Sequence, residues 1–298
     1  MHREIQFEQL HRLPLFACVL SLSLFYLSIF VSTLIYVNKH SFILFIVGSV
    51  FTFCSYFVMN YYLSRYSSSY QNIPDNKKFY VLSNIIKAGL LLIFSPHSFI
   101  MLKVFRDLPT IMIPTKLPYD TIIQSGFSGI FGLMDKDPSI VTTIHNMSAF
   151  YAIPDFVSLL LVHNMAWSTR IHHIVVIIVV MINFYHTFDY PSVWIGVVVY
   201  GIYSSFSYLV NFLLASRFLP VGPYATKMLR FTSFIIYSIC CMFNWSWQLY
   251  YSFSLMTYPE YHSQPYWQLQ IMIYGILTIA FVYDDILLLK WLKFKSLH

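Results

Sequence analysis

Long apolar segments separated by short polar connections make up most of this chain. The hydrocarbon core of a bilayer, roughly 30 Å thick, requires about 20 largely apolar residues per helix. Eight segments meet this requirement: 13–37, 41–63, 79–101, 145–163, 171–188, 192–213, 227–252 and 268–292. Because backbone amides in lipid must be hydrogen-bonded within their own segment, the pattern predicts helices. The predicted fold is an all-α, polytopic transmembrane bundle of about eight spans.

The composition excludes a water-soluble globular protein. Apolar and aromatic residues make up 58% of the 298 residues and charged residues only 10%, whereas an average soluble domain has about 25% charged residues. The same values exclude a disordered chain, a nucleic-acid-binding domain and a secreted disulfide scaffold. The net charge of +6 is therefore interpreted as a topology signal, and no nucleic-acid partner is expected.

The distribution of basic residues predicts the orientation. With eight spans, both termini lie on one side, which collects twelve lysines and arginines against five on the other. Because cytoplasmic loops are enriched in Lys and Arg, both termini are predicted to be cytoplasmic. Residues 1–40 are expected to carry a retained additional span, and residues 41–298 to form the main membrane domain.

The connecting segment 102–144 is predicted to lie on the lumenal side, where four prolines prevent a long helix. Residues 121–134 form a Gly-rich apolar stretch that is too short to span the bilayer. This stretch is either an interfacial or re-entrant segment or a folded loop packed on the bundle.

Aromatic residues and cysteines receive structural interpretations. Clusters at predicted span ends, such as Tyr61–Tyr62, Trp245–Trp247 and Tyr250–Tyr251, indicate an interfacial aromatic belt. The four cysteines fall inside spans and are interpreted as apolar fillers. Because the chain lacks CxxC and HExxH spacing, no metal site and no cofactor are expected.

Few ionisable residues fall within the predicted spans. They are Lys87, Asp155, His172, His173, Asp284 and Asp285. Each costs about 2.5–3.5 kcal/mol at the centre of a helix, so each is a functional candidate for which a partner is expected.

Asp155 and the histidine pair carry the main hypothesis. Asp155 follows Pro154, which kinks a helix, and a buried carboxylate on a kinked helix is suited to the wall of a polar cavity. The alternative is a purely structural pair with Lys87. Because adjacent helical residues point about 100° apart, only one of His172 and His173 is expected to face the cavity. There it could act as a general base oriented by a carboxylate, or both imidazoles could simply bind lipid phosphates or backbone groups.

Two further groups are weaker candidates. Asp285 is preferred over Asp284 as an inward-facing carboxylate, with a solvated helix end as the alternative. Ser204, Ser205, Ser207 and Asn211 form a polar stripe in an apolar span. Small hydroxyls commonly hold membrane helices together, so this stripe predicts helix packing.

The order of these residues resembles the TLC domain family of multi-spanning membrane proteins. The resemblance rests on Asp155, on His172–His173 after a short loop, on Ser207 and Asn211 in the next span, and on Asp285. Lys77–Lys78 directly before the third span and the Tyr80 to Asn84 stretch at its start also contribute. The resemblance covers roughly residues 41–292. It implies a barrel of six or seven helices around a central cavity, in the endoplasmic reticulum or another endomembrane.

The resemblance also implies alternatives for function. Ceramide synthases of this family transfer an acyl group from acyl-coenzyme A to a sphingoid amine, using further His and Asp residues in the next span. Here 192–213 contains no His, Asp or Glu, which favours the branch concerned with lipid homeostasis. In that branch a Glu and a Ser-Pro-Phe stretch precede the Asn, and Ser204 and Tyr208 stand in place of the Glu and the Pro.

We therefore expect a protein that binds or handles membrane lipids and influences membrane lipid composition. The residues expected to line its cavity are Lys87, Asp155, His173, Ser207, Asn211 and Asp285. The alternatives are an acyltransferase that uses acyl-coenzyme A as substrate, with His172, His173 and Asp155 as its catalytic residues, and a solute transporter. Membrane lipids are the expected partners, and a homo-oligomer is compatible with the sequence.

Overall fold

The computed structural model describes residues 41–105, 140–186, 188, 192–219 and 221–297, and over these ranges every regular element is a helix. The predicted first span, 13–37, and the apolar stretch 121–134 lie outside the described residues. The helices are α1 Ser41–Tyr66, α2 Ser68–Gln71, α3 Asp75–Phe105, α4 Ile140–Leu161, α5 Trp167–Asn183, α6 Val193–Ser205, α7 Tyr208–Ser216, α8 Pro223–Thr257, α9 Pro259–His262 and α10 Trp267–Leu297. The all-helical class is confirmed for this part of the chain.

Four helices are long and apolar enough to cross a membrane. They are α1, α3 over Asp75–Phe99, α8, and α10 over Trp267–Lys293. The α6–α7 pair, which is bent by 50° at its break, is a fifth candidate if it counts as one span. Helix α5 is apolar but has only 17 residues. These helices are those of a multi-pass membrane protein, and the count of eight spans stays a prediction.

The helices enclose an interior rather than forming a flat layer. Helix α4 packs against α1, α3 and α5, helix α3 packs against α6 and α7, and α10 packs against α5, α6 and α8. The contacts between α3, α4, α5, α10 and α6 thus form a closed circuit. Because neighbours shield α4 from lipid, this helix can carry Asp155 and Asn146 as buried residues.

The α6–α7 break is held by serines of the polar stripe. The Ser205 Oγ lies 2.7 Å from the Ser98 Oγ of α3, and the Ser95 hydroxyl donates to the Ser205 carbonyl over 3.2 Å. A helix break at membrane depth exposes backbone carbonyls, which need such partners. The packing role predicted for this stripe is confirmed at Ser205.

Close approach of α6 to α10 depends on a glycine. The Tyr274 ring of α10 covers Gly196, and its hydroxyl donates to the Gln248 side chain of α8. Gln248 in turn donates to the Gly196 carbonyl over 2.9 Å. The absence of a side chain at this position lets three helices share one hydrogen-bonded contact.

Gly196→Ala is expected to lower the free energy of unfolding by about 1–3 kcal/mol, as is typical of overpacking. A Cβ at this position would lie 2.7 Å from Tyr274 Cζ, so the ring must move and lose its bond to Gln248. The matched control is Gly275→Ala on α10, where a Cβ meets nothing within 4 Å. Chemical unfolding in lipid–detergent micelles measures both, and equal stability of the two variants would contradict this account.

Candidate functional site

Asp155 lies at the centre of a buried ionic cluster. It is completely buried on α4, directly after the intrahelical Pro154. The Lys87 ammonium on α3 lies 2.5 Å from Asp155 Oδ1. A buried carboxylate needs a compensating charge, and Lys87 supplies it across the α3–α4 contact. The pairing considered from the sequence is therefore present.

His173 adds a second group to the same carboxylate oxygen. Its Nδ1 lies 3.0 Å from Asp155 Oδ1, and the histidine is 7% exposed. Both groups approach Oδ1, while Oδ2 is buried and has no hydrogen-bond partner within the described residues. The cluster therefore retains one oxygen with unused acceptor capacity.

His172 approaches the same cluster from the neighbouring position on α5. Its Nδ1 lies 3.2 Å from Asp284 Oδ2 on α10. One ligand atom each from Asp155, His172 and His173 lies within 4.8 Å of the others. Of the two histidines, only His172 belongs to the cavity wall described below, whereas the sequence favoured His173. Ring atoms of both nevertheless approach Asp155, because atoms several bonds from the backbone can converge even when their Cβ atoms diverge.

Asp285, next along α10, has a different environment. The hydroxyls of Tyr200 and Tyr237 donate to it, the latter over 2.6 Å, and the Trp245 indole donates over 3.1 Å. These donors belong to α6 and α8, so the carboxylate joins three helices. Asp285 faces inward as expected, but its acceptor capacity is used by the protein itself.

A largely apolar cavity lies inside the circuit of helices. Its volume is about 70 Å³, and it is partly open to its surroundings. Val176, Val179 and Val180 of α5 line one wall, and Phe94, Ile144 and Ile202 contribute from three other helices. His172 and Asn183 mark its extent along α5, about 16 Å at 1.5 Å per residue.

Polar groups line the cavity at few positions. His172, Tyr151 and Tyr200 belong to its wall, and the Lys87 ammonium lies 5.9 Å from the centre of the Tyr151 ring. Tyr151 and His172 thus connect the cavity wall to the ionic cluster. The cavity therefore combines an apolar body with a polar region that contains an imidazole able to accept or donate a proton.

None of the six residues predicted to line the cavity belongs to the wall of this cavity. Lys87, Asp155, His173 and Asp285 take part in the contacts described above, and Ser207 and Asn211 lie at the α6–α7 break and on α7. Ser207 donates to the Ser204 carbonyl over 2.6 Å. The role of this set in lipid binding stays a prediction.

Sequence reasoning missed Tyr151 and Tyr200, and it named Asp284 only as a weaker candidate than Asp285. Tyr151 is four residues before Asp155, so both share a helix face, and this spacing is a usable signal. Tyr200 has no comparable signal among 24 tyrosines. Asp284 cannot be separated from Asp285 without coordinates.

Over the described ranges, these features are those of a helical protein with four helices able to cross a membrane and a buried His–Asp–Lys cluster beside an apolar cavity. Comparisons of the chain with protein-family models, with curated proteins and with solved structures found no match.

Proposed function

We propose that this protein binds a membrane lipid with one acyl chain in the cavity and thereby influences membrane lipid composition. The observation that carries the proposal is the largely apolar cavity with the imidazole of His172 in its wall at one end. A lipid presents the same combination, a long apolar chain joined to a polar headgroup. The order of Asp155, the histidine pair and Asp285 supports a place in the TLC domain family and an endomembrane location.

The length of the cavity along α5 suits a single chain. Its extent of about 16 Å along α5 is close to half of the roughly 30 Å hydrocarbon core, the depth that a lipid chain occupies in one leaflet. Ligand sites in proteins are commonly concave, mostly apolar and equipped with a few polar groups that fix orientation. The headgroup would lie at the polar region formed by His172, Tyr151 and Tyr200.

A direct test is to fill the cavity without disturbing the fold. Gly201 lines the cavity, and a Cβ at this position meets no atom within 4 Å, so Gly201→Phe can start its side chain without a clash and direct the ring into the cavity. The matched control is Gly275→Phe, which is equally unobstructed and does not line the cavity. Mass spectrometry of lipids that co-purify with each protein is the measurement.

Wild type and Gly275→Phe are expected to retain an enriched lipid, and Gly201→Phe to lose it at least about tenfold, which corresponds to 1.4 kcal/mol. A wild-type preparation without an enriched lipid would refute the proposal. Equal retention by both glycine variants would show that the lipid binds outside this cavity.

A second candidate function is acyl transfer from acyl-coenzyme A to a lipid amine. The observation that favours it is the His172 imidazole on the cavity wall with Asp284 beside its Nδ1. A carboxylate that accepts a hydrogen bond from an imidazole holds it in the orientation that a general base requires, and Asp284 lies close enough to do so after a small rotation of the ring. Radiolabelled acyl-coenzyme A and a sphingoid base supply the assay. Turnover that His172→Ala abolishes and His163→Ala preserves would establish it, and absence of wild-type turnover would reject it.

A further inference from the structure

Three buried polar atoms of the ionic cluster lack hydrogen-bond partners within the described ranges. They are Asp155 Oδ2, His172 Nδ1 and His173 Nδ1. Both nitrogens lie near carboxylates, at 3.2 Å and 3.0 Å, but neither contact has hydrogen-bond geometry. A buried polar atom left unpaired costs about 1–3 kcal/mol. Three of them in one place point to a ligand that would satisfy them together.

The donor set has the chemistry of a transition-metal site. Two imidazoles and a carboxylate are the ligands that Zn²⁺ and related divalent ions bind, at about 2.0–2.2 Å. One ligand atom from each of the three residues lies within 4.8 Å of the others. Side-chain movements that shift each of these three ligand atoms by about an ångström would bring them all to bonding distance of one ion. We propose that Asp155, His172 and His173 form a binding site for a divalent first-row transition-metal ion such as Zn²⁺.

The surrounding charges are compatible with a cation. With neutral imidazoles, the nearby charged groups are Lys87, Asp155 and Asp284, which sum to one negative charge. Lys87 contacts Oδ1 of Asp155 and leaves Oδ2 open. It thus compensates Asp155 through one oxygen without blocking the other, and a bound cation would compete with it for the same negative charge. Asp284, beside His172, is positioned as an outer-shell partner of that histidine or as a fourth ligand.

The location gives the site access to the cavity. His172 is both a proposed ligand and a residue of the cavity wall. Three protein ligands leave a coordination position open, as in catalytic zinc sites, where a bound ion polarises a carbonyl or lowers the pKa of water. Metal binding at this site does not require a lipid in the cavity.

The test uses the untagged full-length protein in lipid nanodiscs, stripped with a chelator and then titrated with ZnCl₂. Wild type is expected to retain about one zinc per chain after gel filtration, as measured by mass spectrometry of the metal. His172→Ala and His173→Ala are expected to weaken zinc binding at least about 100-fold, because even loss of an outer-shell partner costs 10–100-fold. His163→Ala, at an exposed histidine between α4 and α5, is the matched control and is expected to bind as wild type.

Two further measurements separate metal binding from loss of fold. Co²⁺ added to stripped wild type should give the visible absorption of a low-symmetry nitrogen–oxygen site, and each histidine variant should lose it while eluting as a folded protein. Lys87→Met removes the cation that competes for Asp155 and leaves this carboxylate uncompensated. Zn²⁺ should therefore raise the melting temperature of the Lys87→Met variant more than that of wild type. No zinc above the level of the double variant His172→Ala/His173→Ala, or no greater effect of zinc on Lys87→Met, would overturn the proposal.

Discussion

Asp155→Ala is expected to lower the free energy of unfolding by about 3–5 kcal/mol, the cost of breaking one side of a buried ion pair. Asp155 is completely buried, and the side chain of its partner Lys87 is only 14% exposed. Removal of the carboxylate leaves that ammonium without compensation among neighbouring helices. Chemical unfolding in lipid–detergent micelles, followed by tryptophan fluorescence, measures the change.

The control for this prediction is the double variant Lys87→Met/Asp155→Leu. Replacement of a buried ion pair by apolar residues of similar volume is often neutral or stabilising. The double variant is therefore expected to be more stable than Asp155→Ala. If the double variant is as unstable as the sum of the single ones, the Lys87–Asp155 pair has no coupling energy, and the ionic cluster is not what holds α3 to α4.

Asp285→Ala is expected to be equally damaging for a different reason. It removes one acceptor from three donors on two other helices, the hydroxyls of Tyr200 and Tyr237 and the indole of Trp245. An unpaired buried donor costs about 1–3 kcal/mol. The summed loss of stability is therefore expected to exceed about 3 kcal/mol in the same unfolding measurement.

Asp284→Ala is the matched control, one residue away on the same helix. Its side chain is 32% exposed and contacts only His172 among the described ion pairs, and a partly exposed pair contributes about 1 kcal/mol or less. The two variants should therefore differ by at least about 2 kcal/mol. Similar losses from both would mean that the Tyr–Trp–Asp285 network does not carry the stability assigned to it.

The helical class and the Lys87–Asp155 pair were accessible from the sequence because both follow from strong penalties. Lipid requires satisfied backbone amides, and a buried carboxylate requires a counter-charge. The mutual position of His172 and His173 was not accessible. Helix geometry fixes the directions of their Cβ atoms, whereas the positions of the ring atoms depend on rotamers and on packing against α10.

The environment of several aromatic residues was also not accessible from the sequence. The belt interpretation is wrong for Tyr251, which is fully buried and donates to the Ser192 carbonyl over 2.8 Å. It is also wrong for Trp245, whose indole is committed to Asp285. An aromatic residue near a span end suits an interface or an interior hydrogen bond equally well, and only the partner on another helix decides between them.

Asp285 accepts hydrogen bonds from three residues that precede it in the chain, and this order has a consequence for biosynthesis. Tyr200, Tyr237 and Trp245 are translated and inserted before the carboxylate that accepts from them leaves the ribosome. Until α10 arrives, these donors must be satisfied by water, lipid headgroups or a chaperone. The nascent chain is therefore expected to be vulnerable to membrane quality control until its last described helix has joined the others.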